Sequence, residues 1–280
     1  MTSLTFYGGV REIGGNKILL EGGDARVFFD FGQSFDFGKK WFIDWLQPRQ
    51  NTGLKDYFEF GLMPRIPGLY SKENLGPTDL LYKEPEFDGI FLSHAHMDHV
   101  DHIKFADPKI PIHCGEATEA FIKAHEATSP FASYGAHEYR TFRTGKKIKV
   151  HGLEVVPVHV DHSIPGAYAY IIHAPDLTLA YTGDFRLHGP KSGLSADFIK
   201  SAAEEKIDVL ISEGTRMAPA ETRQNFTEQK VSEIVDGTIG AQKKLVVTTC
   251  YSRDLTGSRP TTMRQKSTEG HTSSCRGWPT

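Results

Sequence analysis

Six residues, His94-Ala95-His96-Met97-Asp98-His99, place four metal-ligating side chains in one short segment. In an extended chain residues i and i+2 face the same way, so His94 and His96 can address one cation. Asp98 and His99, at the turn into a following helix, can address a second. Imidazole nitrogens and carboxylate oxygens hold zinc at about 2.0–2.2 Å. Packing gives no reason for four such donors directly after the apolar run DGIFLS, so the segment reads as a metal site rather than a solvated loop. Two more donors stand at the ends of apolar runs. His162 in VDHSIPGAYAY offers a third nitrogen, and Asp184 in LAYTGDFR offers a carboxylate able to bridge two ions. Either alone would pass for a cap or turn former; the conjunction is what points to metal. Two divalent ions about 3.5–4 Å apart ionise a shared water and clamp the attacking and leaving oxygens. The bridging hydroxide would attack phosphorus or a carbonyl carbon, with Asp98 or Asp184, the candidate catalytic residues, orienting its remaining proton. The chain has no G-x-S-x-G elbow, no P-loop and no G-x-G-x-x-G opening a helix.

Such donors must be gathered by strand ends. Residues 3–7, 17–21 and 25–30 read as short strands joined by glycine turns, and 88–93, 109–114, 138–142, 146–150, 153–160, 168–173, 177–182, 208–212 and 244–249 as further strands. Helices are expected over 98–106, 116–127, 195–205 (with Ser195 as N-cap) and 221–239. Strand clusters punctuated by helices predict sheets covered by helices, an α/β protein. Residues 35–82 mix aromatics with Gly and Pro without a period, which suggests a long lid-like excursion carrying short helical pieces. Its Trp41, Trp45 and Tyr70 are candidate substrate contacts; a satellite core or a dimer patch is the competing reading of these rings. Arg140, Arg143, Lys146, Lys147 and Lys149 would either track phosphates or form a solvated hairpin.

Composition narrows the class. The chain has 280 residues, 32 Lys+Arg against 35 Asp+Glu, and 39% hydrophobic residues, which excludes a disordered chain and a polybasic nucleic-acid tail. Three scattered cysteines exclude a disulfide framework. No apolar stretch approaches the roughly 20 residues that span a bilayer, and the N-terminus lacks a signal-peptide pattern; a cytoplasmic protein without membrane contact is expected. Residues 256–280 lose all hydrophobic period and read as a disordered tail. A shifted reading frame over residues 258–270 can spell KTYYDAAKEHGRT, a helix-like continuation, so the encoding DNA separates a frameshift from a natural tail.

Taken together, these residues resemble the metallo-β-lactamase superfamily, whose H-x-H-x-D-H hallmark is His94–His99. The nearer likeness is the nuclease branch of ribonuclease J and the β-CASP endonucleases. GGVREIGGNKILLE resembles its opening hairpin, FDFG its first Asp element, HSIPGAYAY its later His motif, YTGDFR its bridging Asp, and Ser212-Glu213-Gly214-Thr215 the acidic element that introduces the β-CASP domain. The resemblance runs from Leu4 to about Leu255, giving one domain over 1–255, and implies an αββα sandwich with metals at its edge. It implies that His94, His96 and His162 bind one ion, that Asp98 and His99 bind a second, and that Asp184 bridges both. The ions would be zinc, with manganese the alternative. Asp30 would steady the metal loop from behind. Glu213 would contact the site from the next strand end or make a structural hydrogen bond. Relatives carry a β-CASP domain after this point, and further histidines that complete the second ion's shell and assist the leaving group. The sequence stops before those elements, so a weaker second site and a preference for aryl phosphates over RNA are expected. The implied function is hydrolysis of phosphoesters. Hydrolysis of small carbonyl esters, lactones or β-lactams, and an inactive β-CASP fragment, are the alternatives. The expected partners are a small phosphoester or ester, with nucleic acid and a homo-oligomeric copy as further ones.

Overall fold

The runs of aliphatic and aromatic residues between glycine turns form strands in two sheets. A computed structural model describes residues 1–39, 41, 47–130, 132–217, 222, 224, 226–242 and 246. The first sheet has the order β1 (Ser3–Gly8), β2 (Lys17–Gly22), β3 (Ala25–Phe29), β4 (Gly89–Phe91), β5 (Ile112–Gly115) and β6 (Tyr139–Phe142). β1, β2 and β3 pair antiparallel; β3 to β6 run parallel. The second sheet is formed by β7 (Ile148–Val150), β8 (Leu153–His159), β9 (Tyr168–His173), β10 (Thr178–Tyr181) and β11 (Val209–Ile211). Its order is β11-β10-β9-β8-β7, antiparallel except for β10 with β11.

Period-two alternation builds three layers of core. Ile18, Leu20, Val27 and Phe29 of the first sheet meet Val155, Tyr170, Ile172 and Leu179 of the second. The intervening Leu19 and Phe28 face the other way, into a core with Ile122. Ala169 and Ile171 of β9 face Phe198 on the far side of the second sheet. Ile122 lies on α4 (Glu116–Thr128) and Phe198 on α5 (Ser192–Glu204), so each sheet has a helix on its outer face. The expected αββα sandwich is the observed fold.

Much of the described part of residues 35–82, expected to be a lid-like excursion, packs into the core. Leu54, Met63, Ile66, Leu69, Tyr70 and Leu75 are buried in the core beneath the first sheet, along with Phe58. The segment contains the short helices α1 (Lys55–Glu59) and α2 (Lys72–Leu75). The single helix expected over 98–106 is instead α3 (Met97–Val100) followed by a 3-10 turn, Ile103–Phe105. α5 begins at Ser192, three residues before the expected N-cap. Ser195 is fully buried, and its hydroxyl accepts a hydrogen bond from the Asp161 amide at 3.0 Å. The helix expected over 221–239 is α6 (Glu228–Ala241), where the Thr227 hydroxyl caps the Lys230 amide. Strand 244–249, the boundary at 255 and the tail 256–280 fall outside the described residues, apart from residue 246. Among the described residues no helix is long and apolar enough to cross a membrane.

Candidate metal centre

Four strand ends converge on one edge of the sandwich. β3 delivers Asp30; β4 delivers Ser93 and the His94–His99 loop; β8 delivers His162; β10 delivers Asp184. His94 Nε2 lies 3.0 Å from His96 Nδ1, and His162 Nε2 lies 3.1 Å from that same nitrogen. Asp184 Oδ1 is 3.4 Å and Asp98 Oδ2 also 3.4 Å from His99 Nε2, while Asp184 Oδ2 is 3.8 Å from His162 Nε2. Two donor sets can therefore each enclose a cation: His94, His96 and His162, and His94, His99 and Asp184, with ligand atoms within 4.8 Å of one another. Asp98 touches the second set through His99, and Asp184 stands between the two. So many imidazole nitrogens turned toward one another leave their lone pairs facing a common point, which suits a divalent cation.

Backbone fit explains why the loop holds this shape. Phe31 N donates to the His99 carbonyl at 2.9 Å and Gly15 N to the Asp98 carbonyl at 3.0 Å. Gly32 lies so close against Asp98 that any Cβ there would overlap its carbonyl. A buried Lys17 ammonium ties the two supporting loops together by donating to the carbonyls of Gly15 and Gly32. Burial pushes that lysine down to about 8, against the opposing pull of Glu12 and Asp101. Behind the loop, fully buried Asp30 accepts from Ser93 N (2.7 Å), Ser93 Oγ (2.8 Å) and Tyr181 Oη (2.5 Å), and meets His99 Nδ1 at 2.8 Å. Asp30 thus fixes which His99 nitrogen faces the centre, the usual work of a carboxylate behind a ligating imidazole.

The profile of the family described as "Beta-lactamase superfamily domain" matches residues 66–247, a span that contains every one of these donors. The chain belongs to the metallo-β-lactamase superfamily. Members of the superfamily are generally hydrolases and bind divalent metal. Among its relatives, the chain is similar to ribonuclease J of Helicobacter pylori (strain ATCC 700392 / 26695), 26% identical over 221 residues covering 76% of this chain and 27% of that protein. It is similar to ribonuclease J of Pyrococcus abyssi (strain GE5 / Orsay), 26% identical over 78% of this chain and 46% of that protein. It therefore spans about a quarter to a half of the length of these curated relatives. A crystal structure of a protein of unknown function from Enterococcus faecalis V583 superposes with a TM-score of 0.74 at 25% identity, covering 95% of this chain and 63% of that one.

The electrostatics of this superfamily site separate its two halves. Burial, with the neighbouring His99, His162 and His96, holds His94 well below its ordinary range. Burial likewise takes His162 down to about 4, with Asp184 opposing and His96 and His99 assisting. Burial would lower His99 too, but Asp184 and Asp30 outweigh it and hold the ring well above its ordinary range. Asp184 is the converse: burial would raise it, and His99, His162 and His96 hold it far below the usual carboxylate range.

His96, Asp98, His162, Asp184 and Glu213 border a cleft of ≈ 1170 Å³. Glu213 engages its own loop there, its carboxylate accepting from Thr215 N at 3.1 Å. Tyr70, expected to contact substrate, is 1% exposed; its hydroxyl donates to the Pro64 carbonyl and its ring packs edge-on against Phe58, so it is a core residue. Trp41 is exposed but rests on Phe60 and does not line the cleft. Trp45 lies outside the described residues. Arg140, Arg143 and Lys147 are matched by Glu138, Glu116 and Glu154 at 2.7–2.9 Å, as in a solvated hairpin. Asn16, whose amide is 3.4 Å from His99 Nε2, together with Ser93, Tyr181 and Lys17, escaped sequence reading. Only GGNK after the opening hairpin and the tyrosine of YTGD hinted at them.

Proposed function

We propose that the chain is a metal-dependent hydrolase of phosphoester bonds, holding two zinc ions (manganese being the alternative) in a cytoplasmic setting. The reading is carried by the paired donor sets, which share His94 and have Asp184 within 3.8 Å of both His99 and His162, at the mouth of an open cleft; the likeness to ribonuclease J directs it toward phosphorus rather than carbon. His94, His96 and His162 would hold one ion, Asp98 and His99 the other, with Asp184 between them. When bound, such a pair supplies an ionised water at neutral pH and positive charge at the reacting oxygens. The chain's own residues do the remainder. Asp30 holds the His99 ring by Nδ1 so that Nε2 faces the centre. Asp184, kept ionised far below the usual carboxylate range, or Asp98 would accept a hydrogen bond from the remaining proton of the attacking water and so orient it. The glycine-lined cleft admits an extended substrate to that point. RNA and small aryl phosphodiesters are the substrates to compare.

The test is Asp184→Ala in the zinc-loaded protein. Turnover of bis(4-nitrophenyl) phosphate should fall by about 10³-fold or more, and the bound zinc, measured by plasma mass spectrometry, should drop below that of the wild type. Undiminished turnover in the variant would locate the activity elsewhere.

A further inference from the structure

The cleft is charged asymmetrically. Among the described residues, and apart from its histidines, the charged side chains lining it are Glu12, Asp36 (which pairs with Lys39), Asp98, Asp184 and Glu213 against one basic residue, Arg11. Arg11 is exposed and pairs with no carboxylate among the described residues. Its backbone is left-handed, with φ 61°, a conformation that favours glycine and that side chains adopt where surroundings or function enforce it. Beside it, Val10, Ile13 and Phe35 leave about half of their surfaces (56%, 50% and 48%) open to the same cleft. The base of the loop is pinned to the metal loop: Gly15 N donates to the Asp98 carbonyl, and Gly14 packs directly against the Asp98 side chain. Arg11 is three residues earlier, at most about 11 Å of chain from Gly14.

We propose that Arg11 is a specificity-determining residue. Its guanidinium takes a non-reacting phosphate oxygen of the substrate, and Val10, Ile13 and Phe35 take an aryl or other apolar substituent on the same phosphorus. The proposal rests on the phosphoester reading above and narrows it. The planar guanidinium fork matches two phosphate oxygens, and an exposed apolar rim beside it favours a ring over solvent. A long polyanion would set its remaining phosphates against Glu12 and Glu213. The cleft therefore suits a short, singly charged diester with an apolar group.

Arg11→Gly suits the left-handed backbone and keeps the fold; Arg11→Lys keeps the charge. Diphenyl phosphate is titrated calorimetrically into metal-free and zinc-loaded protein. Bis(4-nitrophenyl) phosphate and the neutral 4-nitrophenyl acetate are assayed in parallel. Arg11→Gly should weaken diphenyl phosphate binding about tenfold in both forms and raise KM for the diester about tenfold at constant kcat. Lysine should recover part of the loss, and the neutral ester should be unaffected. Unchanged diphenyl phosphate affinity, or an equal loss on the neutral ester, overturns the assignment. If the wild type binds diphenyl phosphate through Arg11 but hydrolyses no diester, the phosphoesterase reading fails and the Arg11 assignment stands. If diester hydrolysis is indifferent to Arg11, the phosphoesterase reading stands and the Arg11 assignment fails.

Discussion

His99 and His162 stand a few ångströms from the same Asp184 carboxylate yet hold their protons in opposite ways. Burial keeps His162 neutral down to about 4, so at pH 6–8 it already presents a lone pair. His99, held well above its ordinary range by Asp184 and Asp30 against burial, carries a proton in the metal-free protein at neutral pH. A cation must displace that proton before it can use the ring. The first zinc equivalent, taken by His94, His96 and His162, should therefore displace no proton from His94 or His162 between pH 6 and 8. The second should release a proton and strengthen with rising pH, by up to about tenfold per unit. Calorimetric titrations in buffers of different ionisation enthalpy measure the protons released at each step. Equal release at both would contradict the asymmetry.

The elements that carry the donors are locked to each other as well as to the sheets. Between the loop that follows β8 and the loop that follows β10, the buried Arg186 guanidinium reaches Asp161 at 3.3 Å and Glu228 of α6 at 2.8 Å. Asp161 precedes His162, and Arg186 follows Asp184 by two residues, so one ion-pair chain sets the spacing of two ligand loops. Arg186→Met leaves Asp161, itself 4% exposed, without its buried partner. That should cost about 3–5 kcal/mol in urea unfolding, much of which Asp161→Asn should restore in the double variant. Simple additivity of the two changes would show that the loops are not coupled. Tyr70 tests the long excursion in the same way. Tyr70→Ala should destabilise by about 3–5 kcal/mol, as truncation of a large buried ring does, with kcat and KM unchanged in the folded fraction. A raised KM at wild-type stability would return it to the cleft.

For the molecule as a whole, the sequence is most legible where function and strand ends coincide. The cluster from His94 to His99 is contiguous, and His162 and Asp184 each follow an apolar alternating run, so their meeting can be read directly from the chain. The support around Asp30 cannot: its partners Ser93 and Tyr181 lie 63 and 151 residues away, and only the pairing of the sheets brings them together. The excursion deceives for a related reason. Leu54, Leu69 and Tyr70 reach the core from irregular backbone, where neither a period of 2 nor one of 3.6 marks the buried side. Lys17 misleads similarly, being a charge at the head of a strand that the fold buries to satisfy two loop carbonyls. The proposed chemistry requires a pair of cations held between the two halves of one cleft. The most direct measurement is anomalous diffraction at the zinc edge from crystals of the zinc-loaded protein. Two peaks are predicted, one enclosed by His94, His96 and His162 and one by Asp98, His99 and Asp184; density at neither position would contradict the assignment outright.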